Sequence, residues 1–210
     1  MASPTLVMAT RNPGKVRELQ EILGDSGITL LTLGDFPDLP ETPEKGRSFA
    51  ENAEAKAREV ARLTGFPALA DDSGLEVTAL RGRPGVFSAR YAQDRTGKFA
   101  PRDEDNYRKL LEELAGVPWA RRQARFVCDM ALVLPDGRIF KSHGECAGFI
   151  ALEPKGSRGF GYDPVFWVPG FNRTMAELAP EVKNRISHRA AALSRLKELL
   201  ISLKEELTGA

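Results

Sequence analysis

The sequence predicts an α/β fold built on a mixed β-sheet. Short apolar runs alternate along the chain with stretches whose apolar residues recur at helical spacing, the order expected of strand–helix units. One pair of apolar runs, Arg125 to Leu134 and Arg138 to Phe149, is separated only by Pro135-Asp136-Gly137, a hairpin turn that puts antiparallel strands into the sheet. The chain has 210 residues and is 42% hydrophobic, enough for a substantial core in one domain or two closely packed lobes. No repeat, low-complexity tract or flexible linker divides it.

Taken in order, Leu6-Val7-Met8-Ala9 reads as a short buried strand. It runs into Thr10-Arg11-Asn12-Pro13-Gly14-Lys15, and Val16, Leu19, Ile22 and Leu23 follow at helical spacing. Asn12 suits a helix N-cap and Pro13 the first helical position. A strand is expected at Ile28 to Leu31 within a Gly- and Pro-marked stretch ending at Gly46. Ser48-Phe49-Ala50-Glu51 fits a capping box, with Ala53, Ala57, Val60 and Ala61 lining the helix it opens and Gly65 ending it. Ala68 to Val77, ALADDSGLEV, is a strand emerging toward a turn. A third helix is expected from Asp105 to Leu114, with Tyr107, Leu110, Leu111 and Leu114 inward. Phe126-Val127-Cys128 and Met130 to Leu134 are apolar on both faces, which makes that strand central. A short helix fits Thr174 to Leu178. The last helix runs from near Ser187 to about Leu203, striped by Leu193, Leu196, Leu200 and Leu203.

Charge and composition narrow the functions. Lys+Arg 30 against Asp+Glu 29 leaves a net charge of +1, so no global basic field points to nucleic acid as a partner. The N-terminal MASPTLVMAT lacks the basic segment of a signal peptide, and no run approaches the roughly 20 apolar residues of a membrane span. A soluble, cytoplasmic protein with no membrane partner is expected. Cys128 and Cys146 flank the hairpin turn and could approach each other; in the cytosol two buried thiols are the expected state. Two histidines and two cysteines without close spacing make no zinc site.

Several constellations carry chemistry. A glycine-containing turn at a helix N-terminus offers N–H groups and the positive dipole end to a phosphate, and Lys15 in the first turn adds a mobile cation. Ala9 and Val16 stand where a Walker A loop requires Gly and Ser/Thr. Ser187-His188-Arg189, with Lys183 upstream, crowds positive groups at another helix start, a pattern suited to an anion or a polar base edge. In Gly159-Phe160-Gly161-Tyr162-Asp163-Pro164 the glycines admit a planar ligand close to the backbone, Phe160 or Tyr162 could stack on a nucleobase, and Asp163 could accept from base N–H groups. Asp71, Asp72, Glu44 and Glu51 are candidates for a hard oxygen-ligand site, since Mg²⁺ is usually held by one or two carboxylates plus substrate phosphates. Asp71 and Asp72 are neighbours on a strand and point to opposite faces.

Together the pieces MATRNPGKVREL, ENAEAKA, ALADDSGLEV, Pro-Gly-Val…Ser-Ala-Arg-Tyr, GFGYDPVF and ISHRAAAL, in this order from Met8 to Leu193, resemble the inosine triphosphate pyrophosphatase (Ham1-like) family, in its bacterial non-canonical purine branch. The resemblance implies a long central mixed sheet flanked by helices, two lobes with the site in a cleft, and a homodimer. It implies Mg²⁺-dependent hydrolysis of nucleoside triphosphates (ITP, dITP and XTP) to the monophosphate and pyrophosphate. Carried over residue by residue, Thr10, Arg11, Asn12, Pro13, Gly14 and Lys15 would hold the phosphates, assisted by Lys56. Glu44, or Glu41 in the same Pro-rich loop, would be a metal ligand. Asp72 would bind metal and act as general base, with Ser73 contacting substrate. Phe160, Gly161, Tyr162, Asp163, Lys183, His188 and Arg189 would surround the base and triphosphate, with Arg189 or a backbone N–H donating to the 6-oxo group. Asp71 is left a supporting ion pair or hydrogen bond on the opposite face. Two rival readings are a hydrolase of pyrimidine nucleotides and a nucleotide- or RNA-binding module without catalysis; paired acids at a phosphate site oppose the second.

Overall fold

The computed structural model describes residues 4–202. The strands are β1 (Thr5–Met8), β2 (Thr29–Thr32), β3 (Ala68–Val77), β4 (Gln123–Val133), β5 (Ile139–Ile150), β6 (Phe166–Val168) and β7 (Arg173–Thr174). The helices are α1 (Pro13–Leu23), α2 (Phe49–Thr64), the single turn α3 (Gln93–Thr96), α4 (Asp103–Glu113), α5 (Pro180–Ile186) and α6 (His188–Ser202). The seven strands form one open sheet in the order β2-β1-β3-β4-β5-β6-β7. β1 pairs in parallel with β2 and β3, whereas β5–β6 and β6–β7 are antiparallel, so the sheet is mixed as the hairpin required.

The chain separates into two compact units. The first takes the chain up to Asp72, Cys128–Gly144 and the chain from Arg189; the second takes Ser73–Val127 and Glu145–His188. In the first unit, strand alternation sorts the core into two layers. Leu6, Met8, Leu69, Cys128, Met130 and Leu132 point to one face, where Leu19 and Leu23 of α1 and Leu193, Leu196 and Leu200 of α6 cover them. Val7, Ala9, Ala68, Ala70, Ala131 and Val133 point to the other, where Ala53, Ala57, Val60 and Ala61 of α2 pack. Small side chains on that second face let α2 lie close to the sheet. The second unit has its own core, in which Leu75 and Val77 of β3, Leu110 and Leu114 around the end of α4, Phe126 and Phe166 are all buried. Arg122 supports it with three donations, from Nε to Val117 O, Nη1 to Ala151 O and Nη2 to Leu114 O, at 2.8–3.0 Å.

Local signals explain most boundaries. Asn12 caps α1 by accepting from Gly14 N and Lys15 N, with Pro13 first in the helix. Ser48 caps α2, and Glu51 Oε2 reaches back not to Ser48 N–H but to Arg47 N at 2.7 Å. The second strand lies one residue later than expected, at Thr29–Thr32. The third helix starts two residues earlier, because Asp103, Glu104 and Asp105 fill its first turn and suit the positive dipole end. The helix expected at Thr174 to Leu178 is only a 3₁₀ turn, Met175–Glu177, closed by a Thr174–Glu177 capping box. The helix that follows it, α5, opens on Pro180. Leu203, the last residue of the expected C-terminal stripe, lies outside the described residues.

Cys128 and Cys146 are both buried free thiols, and burial pushes Cys146 up to about 11. A thiol reagent should therefore react slowly with the native protein and rapidly with both cysteines after unfolding in guanidinium chloride; fast native reaction would contradict this packing.

Candidate active site

The site is built around the two acids of β3. Asp71 has the parity of Leu69 and faces α1 and α6; Asp72 has the parity of Ala70 and faces α2. Asp71 is 0% exposed. Its Oδ2 receives Lys15 Nζ of α1 at 3.0 Å and Arg189 Nη2 and Nε of α6 at 3.0 and 3.3 Å. Arg189 is 1% exposed and also pairs with Glu18 of α1. Burial alone would raise the Asp71 carboxyl, but Lys15, Arg189 and Lys56 overcome it and hold it well below the usual carboxylate range. Burial also lowers Arg189 on its own account; Asp71 and Glu18 reverse this and keep the guanidinium charged.

Asp72, 6% exposed, meets a different set. Asn52 Nδ2 donates to its Oδ2 at 2.9 Å and Lys56 Nζ to its Oδ1 at 3.1 Å. The same ammonium reaches Glu44 Oε1 at 3.0 Å and the Asp71 carbonyl at 2.9 Å. Lys15 Nζ also approaches that carbonyl, at 3.4 Å, so two ammonium groups converge on one backbone oxygen. Burial raises the Asp72 carboxyl above its ordinary value despite Lys56 and Lys15, with Glu44 adding to the rise. Burial would lower Lys56, but Asp72, Glu44 and Asp71 outweigh it and raise it. Adjacent residues thus carry one fixed anion and one carboxylate with raised proton affinity.

The Thr10–Lys15 loop differs from the expected anion cradle. Pro13 has no N–H, Asn12 Oδ1 accepts from Gly14 N at 2.9 Å and Lys15 N at 3.2 Å, and Asn12 O accepts from Val16 N at 3.0 Å. The helix start therefore contributes its dipole and Lys15 while its first N–H groups are spent on the cap. Thr10 Oγ1 accepts from Asn12 N, and Arg11 is exposed and donates to Leu39 O. Of the other acids, Glu51 caps the loop before α2 and Glu41 is exposed on the Pro-rich segment, so Glu44 is the one placed beside Lys56 and Asp72.

The second unit holds the remaining candidates. Lys183 of α5 pairs with Asp163 and lies 4.7 Å from the Phe160 ring centroid. Asp163 Oδ2 accepts from Phe160 N at 2.9 Å, and Gly161 N donates to Asp103 Oδ2 at 2.6 Å, so two carboxylates shape this loop. Gly159 is required there: its φ is +76° and a Cβ would stand 2.0 Å from Asp163 Oδ2. Tyr162 is no stacking platform, because it is buried with its hydroxyl donating to Ser88 O at 2.8 Å; Phe160 is the half-buried aromatic. His188 is buried with its ring stacked on Phe126, centroids 4.8 Å apart. Ser73 is half-buried on β3 immediately after Asp72. Arg189 departs most from expectation: its guanidinium is buried between Asp71 and Glu18 rather than presented to a base edge.

Sequence reasoning missed Asn52, Glu18 and Asp103. The one available signal was helical spacing, since Asn52 and Lys56 are one turn apart on the buried side of α2.

The fold is that of an α/β enzyme, an open mixed sheet with two carboxylates and two ammonium groups gathered at an interior strand. The chain belongs to the Ham1 family, whose sequence profile matches residues 6–199. It is 52% identical over 195 residues to the dITP/XTP pyrophosphatase of Geobacter sulfurreducens, covering 93% of this chain and 96% of that one. Among solved structures it is similar to a HAM1 protein from Coxiella burnetii, with TM-score 0.83, 43% identity and coverage of 95% of this chain and 99% of that one. The Staphylococcus aureus Ham1 protein gives TM-score 0.81, 39% identity and coverage of 94% and 98%.

Removing the Asp71 charge strands Lys15 and Arg189 in a buried position. Asp71→Asn should therefore lower stability by about 3–5 kcal/mol, read as a shift of the urea midpoint at neutral pH; a shift near zero would show that the buried pairs carry no such weight.

Proposed function

We propose that the protein hydrolyses non-canonical purine nucleoside triphosphates (ITP, dITP and XTP) to the monophosphate and pyrophosphate with Mg²⁺, and so cleanses the nucleotide pool. The observation that carries this is the convergence of Lys15 and Lys56 on the Asp71 carbonyl, with the Glu44 and Asp72 carboxylates on Lys56, in a chain half identical to proteins named dITP/XTP pyrophosphatase.

The donor set suits a magnesium ion. Glu44 Oε1 and Asp72 Oδ1 both lie within hydrogen-bond reach of one ammonium, so two carboxylate oxygens already converge on a single cation. Among the described residues no group of three or more His, Cys, Asp or Glu could hold a metal, so an ion bound by Glu44 and Asp72 would have to take its remaining oxygens from substrate and water. Charge balance agrees. Lys15, Lys56 and Arg189 stand against Glu18, Glu44, Asp71 and Asp72, one negative charge in excess. That is a poor receptor for a triphosphate until another cation joins it. Bound by Glu44 and Asp72, magnesium would supply charge stabilisation to the phosphate oxygens.

The side chains then divide the work. Lys15 and Lys56 offset triphosphate charge, and Asp72, held by Asn52 and Lys56, orients a water and takes its proton. The water oxygen bonds to the α-phosphorus, the α–β anhydride bond breaks, and pyrophosphate leaves with the electron pair. A raised carboxyl suits a general base. Asp71 stays ionised and holds Lys15 in place. With Arg189 engaged by Asp71 and Glu18, discrimination against a 6-amino purine falls to other donors, a backbone N–H among them. A cytoplasmic homodimer belongs to the same proposal.

Incubation with Mg²⁺ and a panel of triphosphates should give pyrophosphate and monophosphate from ITP, dITP and XTP, with ATP much slower. Orthophosphate as product, or equal turnover of ATP and ITP, would overturn the assignment. Asp72→Asn should retain nucleotide binding and lose about 10²–10⁴-fold in turnover; near-normal turnover would remove Asp72 from the base role.

A further inference from the structure

Asn52 is a polar side chain on the buried side of α2, 2% exposed, in a row otherwise filled by Ala53, Ala57 and Val60. Both ends of its carboxamide are used. Nδ2 donates to Asp72 Oδ2 at 2.9 Å, and Oδ1 accepts from Gly46 N at 2.8 Å. One amide therefore ties a carboxylate of β3 to the loop that carries Glu44. Lys56 closes the circuit from the other side, donating to Asp72 Oδ1 and Glu44 Oε1. Asp72, Asn52, Gly46, Glu44 and Lys56 form a ring in which each carboxylate is held by a neighbour of fixed position.

Two further facts make this ring specific. A Cβ at residue 46 would come 2.6 Å from Asn52 Oδ1 and 2.9 Å from Glu51 Cβ, so the loop backbone lies against the amide as only glycine permits. An aliphatic side chain of Asn52's size would serve packing alone equally well. The amide is accounted for by its two bonds.

We propose that Asn52 is a positioning residue that sets the orientation of Asp72 and its separation from Glu44, and so fixes where the two carboxylates can share a divalent cation. It acts through Asp72 and the Glu44 loop and touches neither substrate nor reacting atoms. The catalytic consequence rests on the proposed function; the ring and its effect on cation binding do not.

The test uses the full chain with Asn52→Leu, which keeps the number and branching of heavy atoms and removes both bonds, and Gly46→Ala, which attacks the same contact from the loop side. Three quantities are read: amide hydrogen exchange at residue 46, Mn²⁺ binding without nucleotide by electron paramagnetic resonance, and kcat and KM for ITP at saturating Mg²⁺. Folded Asn52→Leu should exchange the Gly46 amide faster and bind Mn²⁺ about tenfold or more weaker. Its kcat should fall by about 10–100-fold with KM changed by no more than about threefold. Gly46→Ala should show the same Mn²⁺ and kcat losses, and decides the matter if Asn52→Leu does not fold. A folded variant with Mn²⁺ affinity and kcat within about twofold of wild type would overturn the proposal, as would a loss confined to KM. If wild type hydrolyses no triphosphate, the proposed function fails, while exchange and Mn²⁺ binding still decide the role of Asn52.

Discussion

The arrangement at the end of β3 depends on the neutralisation of one buried carboxylate. An unpaired ionised carboxylate in a protein interior costs far more than any fold can spare. Asp71 is accommodated because Lys15 arrives from α1 and Arg189 from α6, 118 residues away in sequence. Arg189 is itself buried and needs a second anion, which Glu18 supplies one turn of α1 beyond Lys15. Two helices are thereby pinned to one strand by charge as well as by the leucine layer beneath them. The partners are interdependent, so the set behaves as a unit rather than as separable pairs.

Strand alternation turns this constraint into chemistry. Adjacent carboxylates that shared one environment would repel, and one would protonate. Here the pleat sends Asp71 toward two cations and Asp72 toward an amide and a lysine, so their proton affinities move in opposite directions. Pairs of acids pushed apart in this way mark a division of labour. The buried anion fixes Lys15; the neighbour with raised affinity is the one able to accept a proton. The Asp71 backbone carbonyl links the two halves by receiving both lysines, at 2.9 and 3.4 Å.

What the sequence made legible follows from range. Asn12-Pro13, Ser48 and Asp136-Gly137 act within a few residues, and the first two helix starts and the hairpin fall where those signals lie. The opposition of Asp71 and Asp72 was also readable, since it needs only a period of two. Residue types alone could not separate Phe160 from Tyr162: the difference is a hydrogen bond to Ser88, 74 residues away. The local sequence makes Arg189 a ligand-facing cation, because its charge beside a helix start is unfavourable there, and the carboxylates that resolve this come from distant α1 and β3. α5 escaped notice because its seven residues give too few turns for a stripe to show.

The same electrostatics bear on how such a site can bind its ligand at all. Both lysines are engaged by carboxylates, and under the proposed function a triphosphate would compete with Asp71, Asp72 and Glu44 for them. Lys15 is the more tightly held, because releasing Asp71 would leave that fully buried anion to Arg189 alone, which Glu18 also engages. Lys56 faces Asp72 and half-buried Glu44, both of which can turn to another cation. Under the proposed function Lys56 would be the lysine that exchanges partners, and Lys15 the one that stays in place as the phosphates approach. Such a division lets one end of the site be rigid and the other adjustable, with the rigidity originating in Asp71 rather than in the loop that precedes α1.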